Sequence, residues 1–360
     1  MSASTAGASG GGTAAPGTSP NALQIAIKRL AAGEALTSPD ARAAFDLVMS
    51  GEASPVQVSA LLIGLRVKGE TAAEVAGVVQ AMRDAMVRLN ADRPQDLVDT
   101  CGTGGGTVQT FNVSTAAALL AAGAGLRIAK HGNRSFTSQC GSADVLEALG
   151  IKLEVPVETM ERALREAGIV FMFAPVMHPA MRHVGPVRRE LGIPTVMNIV
   201  GPLANPAMAG RQVVGVADER RVPLLAGALK ELGTRHALVV HGTGMDEVSP
   251  LAATKVIEIR DGKATEWSVE PAKFGYKSLR AEDLAGGPPK ANADTVVAVL
   301  SGKGNRAARG AVTLNAGAAL YVGGKAKSFD EGVEQAEAAL DSKAGLNALE
   351  RLRAAYRQTT

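Results

Sequence analysis

The chain has 360 residues, of which 46% are hydrophobic and 20% are charged, and its formal net charge is +3. These values are typical of a soluble globular protein with room for two domains. The small net charge and an aromatic content of only 3% disfavour a nucleic-acid partner, because such proteins usually present a basic face with interleaved aromatic residues. No apolar run approaches the ~20 residues that span a bilayer, so we expect no membrane partner.

The N-terminal tail and the cysteines bear on the cellular compartment. Residues 1–20 consist almost entirely of Ser, Ala, Gly, Thr and Pro, which predicts a disordered tail. The tail lacks the basic start and apolar middle of a secretory signal. Cys101 and Cys140 do not have the spacing of a metal site, and we expect two reduced structural thiols. These features predict a cytoplasmic protein.

Residues 21–92 are predicted to form a small domain of four short helices. Apolar residues recur there at helical spacing. Two dipeptides place a capping hydroxyl before a proline at the first helical position: Ser38-Pro39 and Ser54-Pro55. Two pairs have the spacing of a capping box: Ser54 with Gln57, and Thr71 with Glu74.

Residues 93–360 are predicted to form a larger α/β domain. Five short apolar runs are typical of buried strands: Leu97–Cys101, Leu126–Ala129, Val170–Phe173, Val213–Val216 and Ala237–Val240. Helical patterns such as Val222–Leu232 lie between them, and this alternation predicts a mostly parallel central sheet. The last sixty residues return to helix, and some mid-chain helices could pack on the helical domain.

A glycine-rich loop follows the first predicted strand. Its sequence is GTGGGT over residues 102–107, followed by TFNVST over residues 110–115, where a helix is predicted to begin. Glycines let backbone amides approach an anion closely, and the helix N-terminus adds a favourable dipole. The loop has neither the P-loop nor the dinucleotide-binding spacing. It predicts an anion site, and the alternative is a tight structural turn.

A second polar segment follows the next predicted strand. Lys130-His131-Gly132-Asn133-Arg134 leads into a run of hydroxyl residues and then into Gly141-Ser142-Ala143-Asp144. Open α/β sheets bind ligands beyond the carboxyl ends of their strands. The segment is therefore expected to form a second wall of the phosphate site, with a solvated surface loop as the alternative.

A pair of arginines marks a third candidate segment. Arg188-Arg189 lies in PVRRELG and precedes the rigid loop GPLANP at residues 201–206. An arginine offers a planar fork that matches a carboxylate. The alternative is a solvated helix face.

Adjacent carboxylates mark the fourth segment. Asp246 and Glu247 follow a predicted strand and a glycine turn. Carboxylates at a strand end are natural ligands for a hard cation such as Mg²⁺. The alternative is ordinary loop polarity.

Taken together and in this order, these motifs resemble the anthranilate phosphoribosyltransferase family. The matching segments are GTGG, TFNVST, KHGNR, GSADVLEALG, APVMHPAM, PVRRELG, GPLANPA and HGTGMDEVS. The likeness runs from the N-terminal to the C-terminal helices and leaves out only the tail. Two places differ from the family pattern. Gly106-Thr107 replaces the usual Asp-Gly, and residues 136–140 read FTSQC where the family often has Ser-Ser and Lys.

The resemblance implies a small N-terminal helical domain beside a larger α/β domain with a mostly parallel sheet, joined by a cleft that closes on its substrates. It also implies a homodimer formed through the helical part. The reaction would transfer the phosphoribosyl group of phosphoribosyl pyrophosphate (PRPP) to anthranilate, in tryptophan biosynthesis. The cofactor would be Mg²⁺, with two ions in each active site.

The resemblance also implies site residues by position. Lys130 and Arg188 would be catalytic, and Ser114, Asp246 and Glu247 would hold the metal. The anthranilate contacts would be Gly102, Asn133, His178, Arg188 and Pro202. The PRPP contacts would be Gly102, Gly105, Gly106, Thr110, Asn112, Val113, Ser114, Thr115, Lys130, His131, Gly132, Asn133, Arg134, Ser135, Phe136, Thr137, Ser138 and Ser142.

Two other functions remain open at this point. A pyrimidine nucleoside phosphorylase is expected to have a similar fold. It binds a nucleoside and phosphate, so it should not need an arginine such as Arg188 to bind an aromatic acid. A non-catalytic homologue that binds nucleic acid is expected to lack the Asp246-Glu247 pair and to carry a basic surface.

Overall fold

The computed structural model describes residues 20–135 and 139–357, so nearly all of the predicted tail lies outside the described residues. The helices in these ranges are α1 (Ala22–Ala31), α2 (Ser38–Met49), α3 (Pro55–Lys68), α4 (Ala72–Ala85), α5 (Val113–Gly123), α6 (Ser142–Ala148), α7 (Val157–Ala167), α8 (Ala174–Met177), α9 (Gly185–Leu191), α10 (Val222–Glu231), α11 (Pro289–Leu300), α12 (Arg306–Val322), α13 (Phe329–Asp341) and α14 (Ala344–Arg357). The strands are β1 (Val98–Gly102), β2 (Ile128–Gly132), β3 (Ile169–Phe173), β4 (Arg211–Gly215), β5 (His236–Gly242), β6 (Thr254–Arg260) and β7 (Lys263–Val269).

The four predicted N-terminal helices are confirmed, with one correction to a cap. The capping boxes of Ser54 with Gln57 and of Thr71 with Glu74 are both present. At α2, however, the cap is Thr37, whose hydroxyl accepts a hydrogen bond from the amide of Asp40 over 3.3 Å. Ser38 is the first helical residue, which leaves Pro39 in the first turn, where no amide partner is needed.

The five predicted strands are confirmed as a parallel array, and two further strands extend it. Across the described residues the sheet order is β3-β2-β1-β4-β5-β6-β7. Pairing is parallel from β3 to β5 and antiparallel for β5-β6 and β6-β7. The β6-β7 hairpin is absent from the sequence prediction, in part because β7 is a mostly exposed edge strand without a continuous apolar run.

Two hydrophobic cores cover the two faces of the sheet. On one face, β5 and β6 contact α10, which packs on α4 of the bundle α1–α4, and the core on this side also contains Val184, Val187 and Leu203. The other core gathers β1–β3 and the opposite face of β4–β6 around α5, α12 and α14. The segment around α9 therefore packs on the helical bundle, although it lies in the middle of the chain.

The order of strands places the ends of β1 and β4 side by side at the centre of the sheet. From β1 the chain proceeds outward to β2 and β3, and from β4 it proceeds outward on the other side to β5. Loops leaving such a reversal point diverge and form a crevice that commonly binds ligands.

Within residues 20–135 and 139–357, no helix combines the length and the hydropathy that a bilayer crossing requires.

Candidate functional site

The glycine-rich loop lies over the end of β4 at this reversal point. The Thr103 amide donates to the Gly215 carbonyl over 2.9 Å, and the Thr103 hydroxyl accepts from the Ala217 amide over 3.1 Å. Gly104 and Gly105 have positive φ angles of 70° and 85°, which residues other than glycine rarely adopt. The predicted glycine loop thus presents backbone rather than side chains to the crevice.

The acidic pair after β5 meets this loop. Oδ2 of Asp246 accepts a hydrogen bond from the Gly104 amide over 2.8 Å. A Cβ atom at position 102 would lie 2.2 Å from the same oxygen, so only glycine allows this approach. The structure therefore brings together Gly102 and Asp246, which are far apart in the sequence.

Glu247 and Asp246 form a buried pair of carboxyl groups with unfavourable electrostatics. Burial and the neighbouring Asp246 together raise its pKa to about 8, and Lys130 opposes both effects. Burial also raises the pKa of Asp246, against the hydrogen bond from Gly104. Two carboxyl groups that resist ionisation side by side would gain from a bound cation.

Lys130 lies between these acids and the start of α5. Its Nζ atom donates to the Thr100 carbonyl over 2.5 Å and to the Ser114 hydroxyl over 3.3 Å. The backbone of Ser114 acts to lower the pKa of Glu247, against the larger effect of burial. Burial lowers the pKa of Lys130, whereas the negative charge of Asp99 raises it. Ser114, Lys130 and the acidic pair thus form one cluster, although they lie far apart in the sequence.

Other residues of the 110–115 segment stabilise the glycine-rich loop through buried side chains and hydrogen bonds. Val113 and Thr115 are 0% and 1% exposed, so their side chains face the core. The amide nitrogen of Asn112 donates to the Cys140 carbonyl over 3.1 Å, and its oxygen accepts from Asn292 over 2.9 Å. Thr110 pairs with Ala285 in an isolated bridge. In this conformation these contacts shape the phosphate loop rather than line its surface.

The segment after β2 is organised by Asp144, a residue of the GSAD motif. Its carboxylate accepts from the amides of Ser135 and Gly141 over 3.1 and 2.8 Å. Arg134 forms ion pairs with Asp144 and Glu147, at 2.8 Å in both cases. Arg134 is therefore held by ion pairs to α6, and both Arg134 and Asn133 are exposed.

Two predicted contacts come close together beside Gly132. A Cβ at Gly132 would lie 2.2 Å from the Ser142 hydroxyl oxygen, and that hydroxyl donates to the Asn133 carbonyl over 3.3 Å. The predicted contacts Phe136, Thr137 and Ser138 lie outside the described residues.

His131 and His178 form a buried pair of imidazoles beside the GPLANP loop. Their ring centroids are 5.0 Å apart at an interplanar angle of 50°. Burial lowers the pKa of His178 to about 4 and holds that of His131 well below its ordinary value, so both rings are neutral at neutral pH. The loop backbone opposes the effect of burial on the pKa of both rings, at Gly201 for His131 and at Ala204 for His178, and the Nε2 atom of each ring is buried without a hydrogen-bond partner among the described residues.

Arg188 lies on the helical side of the molecule. It is half-buried on α9, and burial lowers its pKa, whereas Arg189 is exposed. The residue before it, Val187, belongs to the core shared with α1–α4. Arg188 is thus carried by a different body of the molecule from the one that carries the phosphate loops.

Several supporting residues were not identified in the sequence. Asp99 is fully buried at the start of β1, and it was detectable as a lone carboxylate in an apolar strand. Asn292 and Asn315 lie on α11 and α12, far along the chain, where no local pattern marks them. Asn315 exchanges two hydrogen bonds with the backbone of Val248, at 2.9 and 2.8 Å, and so fixes the segment after Glu247.

The donor set limits what could hold a metal. Among the described residues, no group of three or more His, Cys, Asp and Glu side chains converges into a metal-binding cluster. A site of one or two carboxylates fits Mg²⁺, which usually keeps several waters and takes further ligands from substrate phosphates. Asp246, Glu247 and the Ser114 hydroxyl fit such a site.

Comparisons with known proteins agree with this geometry. Residues 24–86 match the helical bundle domain of the glycosyl transferase family, and residues 94–345 match its a/b domain. The anthranilate phosphoribosyltransferase of Rubrobacter xylanophilus is 51% identical over 91% of this chain and 96% of its own length. That of Symbiobacterium thermophilum is 47% identical over 92% of this chain and 97% of its own length.

Solved structures give the same result. The anthranilate phosphoribosyltransferase of Thermus thermophilus superposes with a TM-score of 0.87 at 44% identity, over 92% of this chain and 99% of that chain. The Saccharomyces cerevisiae enzyme, in complex with PRPP and Mg, superposes with a TM-score of 0.84 at 29% identity, over 93% and 98%. On the evidence of its site, its fold and these relatives, the chain belongs to the anthranilate phosphoribosyltransferase family.

Proposed function

We propose that this chain transfers the phosphoribosyl group of PRPP to anthranilate, giving N-(5-phosphoribosyl)anthranilate and pyrophosphate, in tryptophan biosynthesis. The observation that carries the proposal is the junction of Gly104, Asp246 and Lys130 at the carboxyl ends of β1, β5 and β2. There, backbone amides, a pair of acids and a buried cation converge on one crevice. That set of groups suits a diphosphate accompanied by a divalent cation.

The phosphate side of the reaction depends on charge. As pyrophosphate leaves with the bonding electrons, negative charge grows on it and positive charge grows on the ribose. The ammonium of Lys130, held by Thr100 and Ser114, offsets the charge on the leaving group. The glycine loop supplies close backbone approach without added side chains.

Mg²⁺ is the proposed cofactor, with two ions in each site. When bound, it would neutralise phosphate charge and orient the diphosphate. Asp246, Glu247 and Ser114 would hold it, and a bound divalent cation would lower the pKa of both acids, which burial raises. Isothermal titration with Mg²⁺ and PRPP would count the ions, and one ion per chain would contradict the proposed stoichiometry.

The acceptor side combines uncharged groups with one cation. Gly102, Asn133, His178 and Pro202 are the proposed contacts of the aromatic ring, and Arg188 offers a fork for its carboxylate. The aromatic amine is a weak nucleophile, so its placement near the anomeric carbon matters most. Its nitrogen forms the new bond as pyrophosphate departs, and one amine proton is released.

Closure of a cleft is part of the proposal, because the two substrates would meet groups from different bodies. Arg188 belongs to the helical side and Lys130 to the sheet. The segment that leaves the helical bundle is tied to the rest of the chain by two backbone hydrogen bonds. The Val87 amide donates to the Met177 carbonyl over 2.8 Å, and the Leu89 amide donates to the Pro206 carbonyl over 3.1 Å. A hinge there would bring the acceptor to the phosphoribosyl group and exclude water.

A homodimer formed through the helical domain is also proposed. Val56 and Val67 on α3 are 78% and 81% exposed, and their separation of about three helical turns places them on one face. A dimer formed through this face would remove both side chains from water, which favours association. Light scattering should give a dimer, and Val56→Glu with Val67→Glu should give a monomer. A wild-type monomer would contradict this part of the proposal.

A comparison of substrate pairs tests the proposed activity against the nucleoside phosphorylase. Purified protein should consume anthranilate with PRPP and Mg²⁺, and it should leave thymidine and uridine intact in the presence of phosphate. Phosphorolysis without anthranilate turnover would favour the phosphorylase.

A cytoplasmic location is the expected setting, which the two thiols of Cys101 and Cys140 fit.

A further inference from the structure

Asp99 and Asn205 form a fully buried polar pair beneath the proposed active site. Asp99 is 0% exposed and Asn205 is 1% exposed. The amide nitrogen of Asn205 donates to Oδ2 of Asp99 over 2.7 Å and to the Ala129 carbonyl over 2.8 Å. The other carboxylate oxygen of Asp99 accepts from the His131 amide over 3.2 Å. The pair thus joins β1, β2 and the GPLANP loop at one point.

The position of this pair connects the two substrate sides. Through the His131 amide, Asp99 fixes the end of β2, where Lys130 and His131 begin the phosphate wall. Through Asn205, it fixes the loop that carries Pro202. The same loop is held from the helical domain by Arg83, which donates to the Leu203 carbonyl over 2.7 and 3.2 Å. Movement at Asn205 would therefore change the acceptor side relative to Lys130.

We propose that Asp99 and Asn205 are positioning residues that set the acceptor loop relative to the Lys130 end of β2. This inference rests on the proposed function, because it assigns the loop to anthranilate. Neither residue needs to touch a substrate. Their role is to fix a distance between two groups of contacts, and small displacements of bound reactants strongly reduce rates.

The pair also accounts for an otherwise costly feature of the core. An unpaired buried carboxylate is strongly destabilising, so its charge must be met by donors or a cation. Burial raises the pKa of Asp99 to about 6, against the donors Asn205 and His131 and the positive charge of Lys130, which all favour its ionised form. A purely apolar pair would fill the same space but could not direct three segments at once.

A double-mutant cycle tests the proposal. The single variants are Asp99→Asn and Asn205→Asp, and the double variant exchanges amide and carboxylate. Asn205→Asp should raise the KM for anthranilate about tenfold or more and lower kcat, with the KM for PRPP changed less than about threefold. The double variant should do better than the product of the two single effects, because one donor–carboxylate bond is restored. Multiplicative effects would overturn the pairing.

Two further measurements separate positioning from stability alone. Tyr321→Phe removes a comparable hydrogen bond, from the tyrosine hydroxyl to Glu258 over 2.8 Å, and should lower the Tm while leaving both KM values unchanged. If Asn205→Asp fails to fold, Asn205→Ser should give the same selective rise in the anthranilate KM. A variant that lowers only the Tm would overturn the proposal. Turnover by the wild-type enzyme tests the proposed function separately, since it must be present before the variants can be compared.

Discussion

The amide of Gly104 donates to Oδ2 of Asp246 over 2.8 Å, which joins the glycine loop after β1 to the acidic pair after β5. The two residues are 142 positions apart in the chain. Their contact makes the phosphate loop and the proposed metal ligands one structural unit. A change on either side should therefore affect binding of both the diphosphate and the cation.

Removing charge from the acids should abolish most turnover. Asp246→Asn with Glu247→Gln keeps the shape of both side chains, and the amide oxygen introduced at position 246 could still accept from Gly104. Loss of metal-held charge stabilisation, worth several kcal/mol, should lower kcat/KM by about a hundredfold or more. Circular dichroism should be unchanged. Turnover near the wild-type rate at limiting Mg²⁺ would remove these residues from the proposed metal site.

Adding a side chain at Gly106 should weaken PRPP binding. Position 106 does not have a positive φ, so backbone strain is not the obstacle. A Cβ there would instead lie 2.7 Å from the Gly244 carbonyl oxygen, two residues before Asp246. Overpacking of this kind costs about 1–3 kcal/mol. Gly106→Ala and Gly106→Asp should both raise the KM for PRPP, even though aspartate is the commoner family residue.

A matched control is Gly287→Ala, whose Cβ would make only an ordinary contact of 3.6 Å with Ala291. It should leave the KM for PRPP unchanged. Unaltered PRPP binding in both Gly106 variants would show that the 243–246 turn yields easily and that the close packing is unimportant.

Arg188 should determine affinity for anthranilate. Arg188→Ala removes a charge-assisted contact worth about 1.5–3 kcal/mol, or about one to two powers of ten in kcat/KM. The effect should fall on anthranilate rather than PRPP, because the phosphate loops lie on the sheet. Arg188→Lys should recover only part of the loss, since an ammonium offers no planar fork.

Arg189→Ala is the control for this prediction, because Arg189 is exposed on the same helix. It should change little. If Arg189→Ala proves more damaging, or Arg188→Ala leaves the anthranilate KM unaltered, then Arg188 does not bind the carboxylate.

The buried histidines should make the fold sensitive to acid. The pKa of His178 is about 4, below the ordinary 6.5, so its contribution to stability is present above pH 6.5 and is lost as the pH falls through 4. The free energy of unfolding should fall by about 2 kcal/mol between pH 8 and pH 5 through this residue. Urea denaturation at both pH values measures the fall.

The comparison variant is His178→Gln, which should lose less stability than the wild type over the same range. His183→Gln, at a partly exposed histidine outside the pair, should keep the wild-type dependence. An identical pH dependence in His178→Gln and the wild type would mean that other groups cause the acid sensitivity.

The sequence was informative where function and structure use local patterns. Glycine loops at strand ends and an adjacent acidic pair pointed to the segments that hold Gly104, Lys130 and Asp246. The edge hairpin was missed although Asp261-Gly262 marks its turn, with φ angles of 48° and 77°. Such Asp-Gly pairs favour tight hairpins, so the sequence contains a turn signal for this hairpin that the sequence analysis did not use.

Other features could not be read from local patterns because they depend on long-range packing. Asn292 meets Asn112 across 180 positions, and Asn205 meets Asp99 across 106. Neither asparagine has neighbours in the sequence that reveal its partner. The sequence analysis allowed for mid-chain helices that pack on the helical domain, but no local pattern singled out α9 as one of them.

The most direct test of the account is the stoichiometry of the proposed reaction. Anthranilate fluorescence should fall only when PRPP and Mg²⁺ are both present, with one pyrophosphate released for each anthranilate consumed. Chelation of Mg²⁺ should stop both signals together. Stable anthranilate fluorescence under these conditions, or pyrophosphate release without loss of anthranilate, would contradict the proposed activity.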